Sequence, residues 1–106
     1  MINHDLSKLE GEGNFIKVGV IGSGRMGAGV VYQIRRMRGM KAVMLADIVP
    51  EKAIETFTAD GWSRDDIVLA DSPWKADRAI SSGKVVVTED ARVLARSGID
   101  VLVEAT

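Results

Sequence analysis

A glycine-punctuated passage, KVGVIGSGRMGAGVVYQIRRMRGMKAVMLAD at residues 17–47, constrains this chain more than any other. An apolar run from Val18 to Ile21 leads into Gly22-Ser23-Gly24-Arg25-Met26-Gly27, and an apolar-periodic stretch follows. A second apolar run ends at Asp47. The order reads as strand, tight turn, helix and second strand, with an acid at the second strand's tip. Each part meets a physical need of a bound dinucleotide. Gly22 permits the tight turn, Gly24 lets backbone approach a pyrophosphate, and Gly27 lets the helix pack where a Cβ would push it away. The first amides of the helix lack partners within it, so they and the helix dipole attract a phosphate. Asp47 lies 20 residues beyond Gly27, the spacing expected of a carboxylate that accepts from the adenosine ribose hydroxyls. Ser23, Arg25 and Met26 join the three glycines in cradling the pyrophosphate, largely through backbone amides, and Ile48 borders the adenine. A domain that uses the same glycines only for packing is the competing expectation.

The remaining pattern continues the alternation of strands and helices. Lys17 to Ile21 is the first strand, and its near-continuous apolar run suits a strand covered on both faces. A helix is expected over Arg25 to Arg38, with Met26, Val30, Ile34 and Met37 on one apolar stripe and Gly39 as its stop. Lys41 to Ala46 is the second strand. Pro50-Glu51 starts a second helix with Ala53, Ile54 and Phe57 inward, ended by Gly61-Trp62. Ile67 to Ala70 is a short apolar run, and Asp71-Ser72-Pro73 opens a small helix that ends at Gly83. Lys84 to Thr88 is the third strand, Thr88-Glu89-Asp90 caps a helix through Arg96, and Asp100 to Glu104 is the fourth strand. Such alternation predicts an α/β fold, a Rossmann-type open parallel sheet with helices on both faces, of which the chain supplies the N-terminal part. Residues 1–16 read as an arm with a short helix around Leu6 to Leu9 and a flexible Gly11-Glu12-Gly13-Asn14. Residues 17–106 read as the first of the two mononucleotide halves of a dinucleotide-binding domain.

Bulk properties exclude several classes. The 14 basic and 15 acidic side chains nearly cancel, so neither nucleic acid nor an anionic membrane is an expected partner. The cluster Arg35-Arg36-Met37-Arg38 complements the dipole at a helix C-terminus. No apolar run approaches the roughly 18 residues of a membrane span, and the polar N-terminus is not a secretory signal. A cytoplasmic protein is therefore expected. Without cysteine there is neither a disulfide framework nor thiol chemistry. His4 stands alone, so no metal site is expected, and no side chain forms a nucleophile or an acid–base dyad. Met26, Met37, Met40 and Met44 read as core filler. Trp62 and Trp74 are expected to pack the 62–83 region onto the domain.

Three passages resemble the NAD(P)-binding domain of homoserine-dehydrogenase-like oxidoreductases, in particular the subgroup with a C-terminal SAF domain. They are LEGEGNFIKVGVIGSGRMGAGV, LADIVPEKA and SGIDVLVEAT. The helix ending in Ala79-Ile80-Ser81-Ser82-Gly83 before VVVTED is also similar to that subgroup. The resemblance implies a longer enzyme with a catalytic and dimerisation domain after Thr106, hence a homo-oligomer whose catalytic residues lie outside this sequence. Because some members of this subgroup resemble homoserine dehydrogenase in sequence but reduce and rearrange deoxyxylulose 5-phosphate, the substrate does not carry over. Ala105 and Thr106 match positions that approach the nicotinamide ribose. In such enzymes the cofactor carries the hydride and the domain supplies position and electrostatics. The cofactor is NAD or NADP. Asp47 favours NAD, since a carboxylate ~4 Å from a 2′-phosphate costs about 4 kcal/mol per unit charge at an effective dielectric near 20. Arg25 and Lys52 are the cations that would offset it. The alternative is a non-catalytic dinucleotide-sensing regulatory module.

Overall fold

A computed structural model of the chain describes residues 15–106. The expected N-terminal helix, the Gly11-to-Asn14 linker and His4 lie outside the described residues. Five strands form one all-parallel sheet: β1 (Ile16–Ile21), β2 (Met40–Ala46), β3 (Ile67–Leu69), β4 (Val85–Thr88) and β5 (Val101–Glu104). Their spatial order is β3-β4-β2-β1-β5. The connections carry α1 (Arg25–Arg35), α2 (Pro50–Ala59), α3 (Pro73–Ser81) and α4 (Ala91–Arg96). A 3₁₀ turn over Arg64–Asp66 precedes β3. This is a Rossmann-like open α/β sheet.

The two faces of the sheet build separate cores. Val31 and Ile34 of α1 and Ala53 and Phe57 of α2 pack with Val18, Val20, Leu45, Val85 and Val87. Ala76, Ala79 and Ile80 of α3 and Val93 and Leu94 of α4 pack with Val43, Met44, Ala46 and Val86 on the other side. Strands enclosed this way need apolar residues at successive positions, which is why β2 and β4 read as unbroken apolar runs. Small residues bring α4 close: a Cβ on Gly19 would meet Ile99 Cδ1 at 2.6 Å and Leu94 Cδ2 at 2.8 Å.

A bulge breaks the period of β2. Val18 pairs with Ala42, but Gly19 pairs with Met44, so Val43 is an extra residue in the ladder. Val43 and Met44 consequently both join the core under α3 and α4, and the alternation beyond them is reversed. Leu45 faces α1 and α2, Ala46 the opposite helices. Continuing that order brings Asp47, the next residue, to the side of α1 and its turn. A bulge that re-aims a side chain beside a candidate site is a known use of the irregularity.

Local signals account for most boundaries. Ser72 accepts from the Lys75 amide at 3.2 Å, and Pro73 occupies the first turn of α3. Asp90 caps α4 by accepting from the Arg92 amide at 2.9 Å. Four sequence expectations need correction. The apolar run at Ile67 is a strand, β3, at the sheet edge beside β4, so the sheet has five strands where four were expected. Helix α1 stops at Arg35, short of Arg38, and Gly39, with φ +76°, turns the chain into β2. Met26 (67% exposed) and Met37 (45%) are at the surface and outside the core. Trp62 does pack edge-on against Phe57, whereas Trp74 is exposed and its ring lies under the Arg78 guanidinium.

Candidate functional site

From β1 the chain passes to β2, out to β3 at the sheet edge and back to β4 between β2 and β3, then crosses to place β5 on the other side of β1. The carboxyl ends of β1 and β5 therefore flank the point where strand order reverses, where open α/β sheets bind ligands. Three backbone hydrogen bonds stitch these ends into one rim. The Gly22 amide donates to Ala46 O at 2.7 Å, the Ala105 amide to Ile21 O at 2.8 Å, and the Asp47 amide to Thr88 O at 2.9 Å.

The three glycines of the turn do different work. Gly22 has φ +94°, a left-handed conformation that a Cβ would strain. A Cβ on Gly27 would fall 1.8 Å from Gly22 O, so the first turn of α1 rests directly on the backbone of the glycine turn. Sequence reasoning placed this close approach against the sheet; it is against the turn itself. A Cβ on Gly24 would meet nothing within 4 Å. Gly24 borders open space, the arrangement required for close approach of a ligand to the backbone.

The start of α1 is electropositive and unclaimed. Gly24 is its N-cap, with no side-chain capping bond and no acid in the first turn. The first backbone bond of the helix runs from the Ala28 amide to Gly24 O at 2.9 Å. Among the described residues no protein acceptor engages the amides of Gly24, Arg25, Met26 and Gly27. Unsatisfied amides at the positive end of a helix suit a phosphate oxygen. Arg25 and Met26 extend from the same turn into solvent.

Asp47 is joined to this turn. Its Oδ2 accepts from the Ser23 amide at 3.1 Å and from the Ser23 hydroxyl, and its Oδ1 accepts from the Val49 amide at 2.8 Å. Burial pushes the Asp47 carboxyl up. The Ser23 hydroxyl, the Val49 and Ser23 amides and the Lys52 ammonium outweigh it and hold the group below its ordinary range. Asp47 is thus charged at neutral pH. Ser23 is itself 6% exposed. Its carbonyl accepts from the Thr56 hydroxyl at 3.2 Å, a group that also lies 3.0 Å from Lys52 O. Helix α2 therefore braces the turn through Thr56. The sequence places Ser23 in the pyrophosphate cradle largely through its backbone amide and does not single out Thr56. The residues are 24 and 33 positions apart from their partners, and no local pattern links them.

The other expected residues converge. A Cβ on Gly22 would lie 3.0 Å from Thr106 Cγ2 and 3.2 Å from Ala105 O, which puts the end of β5 against the turn. Ala105 is buried and Thr106 exposed. Ile48, next to Asp47, is 86% exposed, an apolar side chain standing free at the rim. A groove of about 410 Å³ continues along the strand ends between Pro50 on one side and Thr88 and Asp90 on the other. A larger groove of about 580 Å³, lined by Phe15, Arg35, Lys41 and Trp62, lies at the opposite, amino ends of β1 and β2, away from all of these residues. No group of three His, Cys, Asp or Glu side chains is gathered to hold a metal ion among the described residues. No helix among them is long and apolar enough to cross a membrane. Comparison with known protein families and with curated proteins matches this chain to none of them.

Proposed function

We propose that this chain is the NAD(P)-binding portion of an oxidoreductase of homoserine-dehydrogenase-like type. Hydride would pass between nicotinamide C4 and a carbonyl or alcohol substrate held by a further domain. The observation that carries this reading is the set of four unclaimed amides at the start of α1, beside the open space at Gly24. Pyrophosphate oxygens would accept from those amides. The adenosine ribose would reach Asp47, with Ile48 bordering the adenine and the 410 Å³ groove continuing beyond it. The nicotinamide ribose would pass over Ala105 and Thr106. These residues bind and orient; the cofactor supplies the redox chemistry.

Asp47 supports NAD over NADP, since a carboxylate held ionised repels a 2′-phosphate. Lys52, near enough to act on that carboxyl, is the cation through which NADP would be accommodated instead. A non-catalytic dinucleotide-sensing module would use the same contacts. Parallel calorimetric titrations with NAD(H) and NADP(H), on this chain and on any longer protein that contains it, test the proposal. A ligand at 100 times its dissociation constant adds about 2.7 kcal/mol to stability, which a thermal melt reads independently. Affinity for NAD(H) with hydride transfer by a longer form supports the enzyme, and affinity without turnover supports the sensor. No affinity in either form refutes both.

A further inference from the structure

We infer that Asp47 accepts from only one hydroxyl of the adenosine ribose, because Ser23 already occupies one of its two carboxylate oxygens. Ser23 is thereby a specificity-determining residue of the site. This inference rests on the dinucleotide reading and deepens it.

The argument is a count of acceptor sites. An ionised carboxylate offers about four lone-pair positions, two on each oxygen. On Oδ2 both are taken, by the Ser23 amide at 3.1 Å and by the Ser23 hydroxyl. On Oδ1 one is taken, by the Val49 amide at 2.8 Å. One position is left. A carboxylate that grips a ribose diol with both oxygens needs two, so a dinucleotide here either uses a single hydroxyl or displaces Ser23. Displacement is opposed from behind. Ser23 is buried, its carbonyl is held by the Thr56 hydroxyl of α2, and the next residues are fixed by the contact of Gly27 with Gly22. The serine hydroxyl has one proton, and an ionised carboxylate can only accept, so the direction of that bond is fixed. Strand β2 reinforces the arrangement, since its bulge at Val43 turns Asp47 toward this serine.

The test uses ADP-ribose and its two analogues that lack the 2′- or the 3′-hydroxyl on the adenosine side, titrated into this chain. A hydrogen bond to a charged group carries about tenfold or more in affinity. One analogue should therefore bind about tenfold more weakly than ADP-ribose, and the other within about twofold. In Ser23→Ala the backbone amide at position 23 still donates to Oδ2 but the position held by the hydroxyl is freed, which leaves one acceptor position on each oxygen, so both analogues should bind more weakly than ADP-ribose does to the same variant. This change in pattern is independent of any general loss of stability, which a thermal melt of the variant measures. If the unaltered chain loses affinity equally for both analogues, or for neither, the inference is overturned while the dinucleotide reading stands. If Ser23→Ala folds and keeps the one-hydroxyl pattern, the role of Ser23 is overturned. If ADP-ribose binds only a longer protein that contains this chain, the same titrations on that protein decide the count; if it binds neither, the dinucleotide reading falls and this inference with it. Should the variant fail to fold, the pattern in the unaltered chain still decides the count.

Discussion

Replacing Gly27 with alanine tests an approach of two backbone segments too close to admit a Cβ. The added Cβ would lie 1.8 Å from Gly22 O and 2.7 Å from Gly22 C, both backbone atoms. Ordinary contact begins at 3.4 Å, so either the start of α1 or the turn must move by about 3.4 − 1.8 = 1.6 Å. Neither has room. Val31 and Ile34 of α1 are buried against the sheet, and the Gly22 amide is tied to Ala46 O. Overpacking that forces backbone shifts costs about 3 kcal/mol, the upper end of the usual range. For a domain near this size that lowers the melting temperature by roughly 12–24 °C. Urea unfolding followed by far-UV circular dichroism, with the melt as a second measure, gives the stability difference. A Gly27→Ala chain within about 1 kcal/mol of the original would refute the packing of α1 on the glycine turn.

Gly24→Ala is the counterpart: its Cβ meets nothing, so stability should change by less than about 1 kcal/mol, while calorimetry should show dinucleotide affinity falling about tenfold or more. Asp47→Asn should cost about 1–2 kcal/mol in urea unfolding at pH 7, because an amide nitrogen then faces a donor that the carboxylate accepted from. The sign with pH follows from the lowered Asp47 carboxyl. Its stabilisation is fully present above the unfolded value of about 3.9 and is lost as pH falls through the lower folded value, so the two chains should converge well below pH 4. Phe57→Ala should cost about 3–5 kcal/mol in the same unfolding assay, since Phe57 is fully buried under the sheet and carries Trp62 on its edge.

The parts legible in the sequence are those whose cause is local. The glycine turn, the Ser72-Pro73 start of α3 and the Asp90 cap of α4 each depend on residues within a few positions, and the structure has all three. Strand β3 was not legible as a strand: at three residues, with Leu69 exposed, it has too little pattern to show a period. Met26 fits the apolar stripe of α1 by helical spacing. However, the first turn of that helix sits over the glycine turn at the open end of the sheet, where no core exists to receive it. The bulge at Val43 was hidden because a strand buried on both faces is apolar throughout, so an extra residue leaves no break in the run. The bond from Ser23 to Asp47 joins two elements by tertiary packing alone, and so neither the brace nor its effect on the carboxylate was visible beforehand.

Backbone amide shifts on addition of ADP-ribose test the proposed site most directly. With assigned ¹H–¹⁵N spectra of this chain, the amides of Gly24, Arg25, Met26 and Gly27 should move most, with Ile48 and Val49 following as the ribose reaches Asp47. Shifts confined to Phe15, Lys41 and Trp62, around the groove at the opposite end of the strands, or no shifts at saturating ligand, would contradict it.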